Sequence, residues 1–154
     1  MQTAIFPKVT GKNLQRKTLH FPQDFPARFT LVLMAFYRHH QLDIDTWLPF
    51  ASDLESEFGD LAYLEFPVIY KMGPVGQFML NEGMRAGIPN RKAREKTITL
   101  YLNKTRFLEQ LGVSTEKDIQ IFLVQDDGQI LWHGTGPFSQ EKGAALQKLL
   151  QTQL

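Results

Sequence analysis

Two adjacent histidines, His39 and His40, carry the most chemical reach in this chain, because imidazole can move protons and bind transition metals near neutral pH. Tyr37, Arg38, Gln41 and Trp47 lie close to them in sequence. Consecutive side chains on a strand-to-helix loop point in different directions, so joint chelation of one ion is not expected. His20 and His133 are too scattered to complete a site by spacing, and no metal or cofactor is expected. Arg38 could hold an anion together with the free N–H groups of a following helix. Asp43 and Asp45 fall in that first turn, however, and already complement the helix dipole. The plain alternative for the whole segment is a solvated loop.

The sequence contains no cysteine. Disulfides, thiolate nucleophiles and sulfur-based zinc sites are therefore excluded. Arg91-Lys92-Ala93-Arg94-Glu95-Lys96 is the densest basic run, with a looser set at Lys8, Lys12, Arg16 and Lys17. Neither is interleaved with aromatics, and the formal net charge is only +1. Both read as solvated connectors rather than nucleic-acid surfaces. Asp45, Asp53, Glu55 and Glu57 read as a solvent-facing acidic helix side. Met72, Met79 and Met84 could form an adaptable surface, but core or helix-face positions are the expected reading. Metalloprotease, hydrolase-elbow, P-loop and dinucleotide fingerprints are absent. No catalytic residue is expected.

The elements that must position these residues follow from periodicity. The nearly unbroken apolar run from Phe29 to Phe36 fits a strand covered on both faces. From Gln41 to Phe58, Ile44, Trp47, Leu48, Ala51, Leu54 and Phe58 recur at helical spacing, with Asp43 as N-cap, a kink at Pro49 and a stop at Gly59. A second strand spans 61–66, closed by Pro67. Pro74 at a first helical position and Gly87 and Pro89 beyond the end bracket a helix over 74–86. A third strand occupies 97–102, and a short helix capped by Asn103 ends at Gly112. Ile119 to Val124, the turn Asp126-Asp127-Gly128, and Gln129 to His133 form a hairpin. Ser139 caps a last amphipathic helix. The chain divides into a loose lead-in at 1–17 and one domain at 18–154. The class is α/β: a central mixed sheet with a parallel half, a C-terminal antiparallel hairpin, and helices on both faces.

That order resembles a thioredoxin-like domain of the peroxiredoxin and thiol-disulfide oxidoreductase type over about residues 18–152. The likeness is carried by strand 29–36, the helix with internal Pro49, and the ending Ile121-Phe122-Leu123-Val124-Gln125-Asp126-Asp127-Gly128-Gln129-Ile130. The strand and helix between Thr97 and Gly112 match the insertion that separates those families from minimal thioredoxins. Counted back from Pro49, the resemblance places Ile44 at the second redox-cysteine position and Gln41 at the first. Asp118 and Ile119 stand where a cis-proline usually precedes the hairpin. The resemblance thus implies the scaffold without its thiol chemistry. A slighter likeness, to the mitochondrial ATP-synthase assembly-factor family, rests on Phe6-Pro7 with Gly11 and Leu14, on Phe29-Thr30-Leu31-Val32, and on Ile130-Leu131-Trp132-His133-Gly134-Thr135-Gly136. It implies a role in assembling other proteins.

The resulting expectation is a non-redox domain that binds a protein or extended peptide against Tyr37, Arg38, His39, His40, Gln41, Ile44 and Trp47, with Asp118 and Ile119 opposite. An exposed Trp47 would belong to that surface, and a buried one would be a core anchor. The alternative is a small-ligand binder or enzyme with a concave pocket rebuilt around Arg38, His39 and His40. A third possibility is a homodimer through helix 41–58. No nucleic-acid partner and no membrane insertion are expected, since the apolar stretch from Phe29 to Tyr37 is too short to span a bilayer. Met1 to Lys8 show no secretory pattern, which makes the cytoplasm the default address.

Overall fold

The seven residues of Phe29–Ala35 form a strand that is buried along nearly its whole length, and the rest of the chain is organised around it. The computed structural model describes residues 4–153. The elements run β1 (Val9–Asn13), β2 (Thr18–Phe21), β3 (Phe29–Ala35), α1 (Gln41–Glu57), β4 (Leu61–Tyr70), α2 (Pro74–Gly87), α3 (Arg91–Lys96), β5 (Ile98–Leu102), α4 (Lys104–Leu111), β6 (Gln120–Gln125), β7 (Ile130–Thr135) and α5 (Gln140–Gln153). They build one seven-stranded sheet in the order β2-β1-β5-β4-β3-β6-β7. β3, β4 and β5 are parallel, and β6–β7 on one side and β1–β2 on the other are antiparallel. The expected mixed α/β sheet with a parallel half and a terminal hairpin is therefore present.

Two apolar layers cover the sheet, as the unbroken hydrophobicity of β3 requires. On one face Val32, Met34, Phe66, Ile98, Leu100 and Phe122 pack under Phe107, Leu108 and Leu111 of α4. On the other, Phe29, Leu31, Leu33, Ile121 and Leu123 pack under Ile44, Trp47, Ala51 and Leu54 of α1 and Leu146 and Leu150 of α5.

The N-terminal stretch departs from the expected loose lead-in. Residues 1–3, like residue 154, lie outside the described residues. Phe6 is buried, with its ring edge-on to Phe25 at 5.5 Å and to Phe66 at 6.0 Å. β1 inserts beside β5 as an inner strand of the sheet. Its strand signal is masked because Gly11 stands where an apolar residue would alternate. A Cβ there would lie 2.5 Å from Ile98 Cγ2, so the close approach of β1 to β5 requires glycine.

Pro67 does not close β4, which continues to Tyr70. Pairing with β3 ends at Ala35↔Pro67 and pairing with β5 begins at Val68↔Leu100, so the proline sits at the change of partners. α1 begins two residues before Asp43, entered from a single 3₁₀ turn at Arg38–His40, and no side chain caps it. The helix continues past Pro49 and stops at Phe58, whose N–H donates to Leu54 O, one residue before Gly59. α4 matches expectation: the Asn103 side chain accepts from Arg106 N at 3.2 Å, and Gly112 turns left-handed at φ 73°.

Candidate functional site

β3, β4 and β5 are parallel, so their carboxyl ends bring the loops after Ala35, Tyr70 and Leu102 together at one end of the sheet. In α/β folds this is where ligand sites form. The segment from Gly112 to Ile119, which leads into antiparallel β6, meets them there.

The centre of this end is Lys104, the first residue of α4, only 7% exposed. Its Nζ donates to Phe36 O at 3.0 Å, and lies 4.9 Å from the Tyr37 ring centroid and 5.5 Å from that of Tyr70. Glu116 Oε2 is 3.9 Å away. Tyr37 donates its hydroxyl to the Glu116 carboxylate, which raises the phenol above the usual tyrosine range. Tyr37 is 41% exposed, and its ring stacks on His39, with centroids 5.4 Å apart and planes 7° from parallel.

His40 is buried and locks the loop from inside. Phe36 N–H donates to Nδ1 at 3.0 Å, so the other ring nitrogen carries the hydrogen, and Nε2 donates to Lys117 O at 3.0 Å. Both nitrogens are thereby committed to backbone. The His39 and His40 ring centroids lie 4.8 Å apart, with the planes at 70°. Among the described residues, no group of three or more His, Cys, Asp or Glu is placed to hold a metal.

The residues singled out from the sequence divide into two sets. Tyr37, Arg38, His39, Gln41 and Asp118 face solvent. His40, Ile44, Trp47 and Ile119 lie in the interior. Trp47 is a core anchor: it donates Nε1–H to Gly136 O at 3.0 Å and meets Phe138 edge-on at 5.3 Å. The two positions that the resemblance equates with the redox pair have separated in character. Ile44 fills the core, while Gln41 donates to Asp45 Oδ1 at 2.8 Å and reaches Glu65 at 3.4 Å. Burial raises the Glu65 carboxyl above its usual range, partly offset by Gln41. Two clefts are lined by other residues, one of about 210 Å³ between β1 and α2 and one of about 310 Å³ beside Phe50 and Phe138.

Sequence reasoning missed Lys104, Glu116 and Tyr70. Lys104 left one usable trace: a cation directly after the Asn103 cap opposes the helix dipole, so it must be held there by something else. Its partners, Phe36 O and Glu116, are remote in sequence and leave no spacing pattern.

No protein-family profile matches the chain, and no curated protein does. Solved structures do match over nearly the full length. A thiol:disulfide interchange protein from Bacteroides sp. is 14% identical, with 96% of this chain and 89% of that one covered, at a TM-score of 0.58. ScoI of Arabidopsis thaliana, determined with copper bound, is 10% identical over 97% of this chain and 99% of its own, at 0.64. BsSco, described as a member of the Sco family of cytochrome c oxidase assembly proteins, is 11% identical over 97% and 93%, at 0.61. At these identities the likeness is one of fold. The fold is thioredoxin-like, in a chain without cysteine.

Proposed function

We propose that this is a non-redox thioredoxin-like domain that binds a protein or extended peptide partner at the carboxyl end of its sheet, as an assembly-type module. The observation carrying this reading is the Tyr37–His39 stack, an exposed aromatic platform on a backing of Lys104, His40 and Glu116. Rigid exposed aromatics give large contact area at low entropic cost, which is why they anchor protein interfaces. Arg38, Gln41 and Asp118 supply polar groups around the platform. The description of BsSco as belonging to a family of assembly proteins agrees with this reading by analogy. The alternative built on His40 chemistry has less support, because both ring nitrogens are already engaged.

The test is affinity capture from the native host, with wild-type protein and the Tyr37→Ala/His39→Ala variant as parallel baits. Both side chains are exposed, so circular dichroism and urea midpoints should agree between the two. A partner reduced by about tenfold or more on the variant bait is the expected result. Identical capture by both baits would remove the platform from the function.

A further inference from the structure

α2 is inverted relative to an ordinary crossover helix. Its sheet-facing side is polar. Tyr101 donates to Gln77 O at 3.2 Å and to Asn81 Oδ1 at 2.7 Å, and Arg85 donates to Leu14 O at 3.0 Å and to Gln15 Oε1 at 2.6 Å. No residue of the helix is buried. The apolar side chains point outward: Val75 is 74% exposed, Phe78 63% and Met79 68%. Their spacing puts all three on one stripe. Single exposed apolar residues need no explanation, but a contiguous stripe on an ordered helix marks an interaction surface.

The surroundings narrow the occupant. Beside the stripe, between α2 and the β1–β2 hairpin, lies the cleft of about 210 Å³, lined by Phe78, Tyr101, Lys12 and Arg16 among others. Glu82, the carboxylate in this lining, is paired with Arg16 at 2.7 Å. Among the described residues Lys12, Lys17 and Lys71 enter no ion pair, and all three are exposed. Lys12 lines the cleft and Lys71 opens the loop into α2, so this face carries uncompensated positive charge.

We propose that α2 and the β1–β2 hairpin form a second docking surface for an acidic amphipathic helix of a protein partner. Its apolar side chains pack on Val75, Phe78 and Met79, one of them enters the cleft, and its carboxylates face Lys12 and Lys71. This is the helix-in-groove mode of recognition. A second copy of this chain fits less well, since a two-fold contact through the stripe would set Lys12 and Lys71 of one copy near the like charges of the other. An anionic membrane would meet the stripe but leave the cleft unfilled. The surface shares no residue with the Tyr37–His39 platform, so either proposal can fail alone.

The test is a display library of random peptides of about four helical turns. It is panned on wild-type protein, with the Phe78→Ser/Met79→Ser variant for counter-selection. Enriched peptides should carry apolar residues at helical spacing with an excess of Asp and Glu. A labelled winner should bind wild type about tenfold or more tighter than the Phe78→Ser/Met79→Ser variant, and lose about threefold or more with Lys12→Glu. Tyr37→Ala/His39→Ala should leave it unchanged. Failure to enrich such peptides, or equal binding to the serine variant, overturns the proposal. So does a stripe-dependent dimer in solution mass, or stripe-dependent binding to phosphatidylglycerol vesicles, without peptide selection. Loss of fold in the serine variant overturns it too, because the stripe would then be structural.

Discussion

α1 and α2 do the same topological task, each leading from one strand toward its parallel neighbour, yet they meet the sheet in opposite ways. α1 buries Ile44, Trp47, Ala51 and Leu54 against β3, β4 and β6. α2 buries nothing and keeps Val75, Phe78 and Met79 in solvent. The cause lies in the strands beneath. Under α1 the sheet presents Leu31, Leu33 and Ile121. Under α2, β5 has turned Ile98 and Leu100 to the α4 side, which leaves Tyr101 for the helix, where its hydroxyl meets Gln77 O and Asn81 Oδ1. A helix over such a surface gains more by offering polar groups than apolar ones. Helical spacing reveals which residues share a stripe, while the opposing strand determines which way the stripe points.

The contrast is tested most severely by truncating one aromatic on each helix. Trp47→Ala should lower unfolding stability by about 3–5 kcal/mol, from lost burial and an unfilled cavity. Phe78→Ala should stay within about 0.5 kcal/mol of wild type. Urea unfolding measures both, and comparable losses would abolish the distinction.

The next effect belongs to the loop that enters α1. His40→Ala strands the Phe36 N–H in the interior and releases Lys117 O, an expected cost of about 1–3 kcal/mol. Amide exchange at Phe36 should rise by more than the global loss of stability explains.

Tyr101→Phe removes the hydroxyl that ties α2 to β5, at about 1 kcal/mol. Exchange should quicken selectively in 74–87 and hardly change in 41–57. Burial pushes the same phenol up to about 12, so titration above the ordinary tyrosine range should loosen α2 in wild type but not in the phenylalanine variant.

The smallest effect concerns Glu65, under the first turn of α1. Its carboxyl is raised by burial, so the folded state holds the proton more tightly than the unfolded chain does. Stability is then greatest below the ordinary value of 4.5 and falls as pH rises through the higher folded value. Glu65→Gln should flatten that fall and raise the neutral-pH midpoint slightly. An unchanged pH profile would show that Gln41 compensates the charge fully.

Much of the scaffold was readable along the chain because its signals are local. Asn103 and Gly112 bracket α4 through their own caps, Asp127-Gly128 turns the β6–β7 hairpin, and a short apolar run without polar alternation fits a strand covered on both faces. β1 was unreadable because Gly11 replaces the side chain that would have shown its alternation. The sequence was enough to put Tyr37, Arg38, His39 and Gln41 after the carboxyl end of a parallel strand, since that location follows from strand order alone. It could not separate His39 from His40, one in solvent and one clamped between Phe36 and Lys117.

The element order from β3 to α2 and from β5 onward, the parallel half-sheet and the exclusion of thiol chemistry follow from residue types and their periodicity, because short-range sterics, burial period and the absence of a sulfur nucleophile act within a few residues or on composition. The inversion of α2, the burial of Trp47 and the anchoring of Lys104 depend on which surface arrives from a distant part of the chain. Lys104 meets Phe36 O and Trp47 meets Gly136 O only once the sheet is assembled. Such contacts are set by packing and hydrogen-bond satisfaction between remote segments, and these leave no periodic trace in the order of residues.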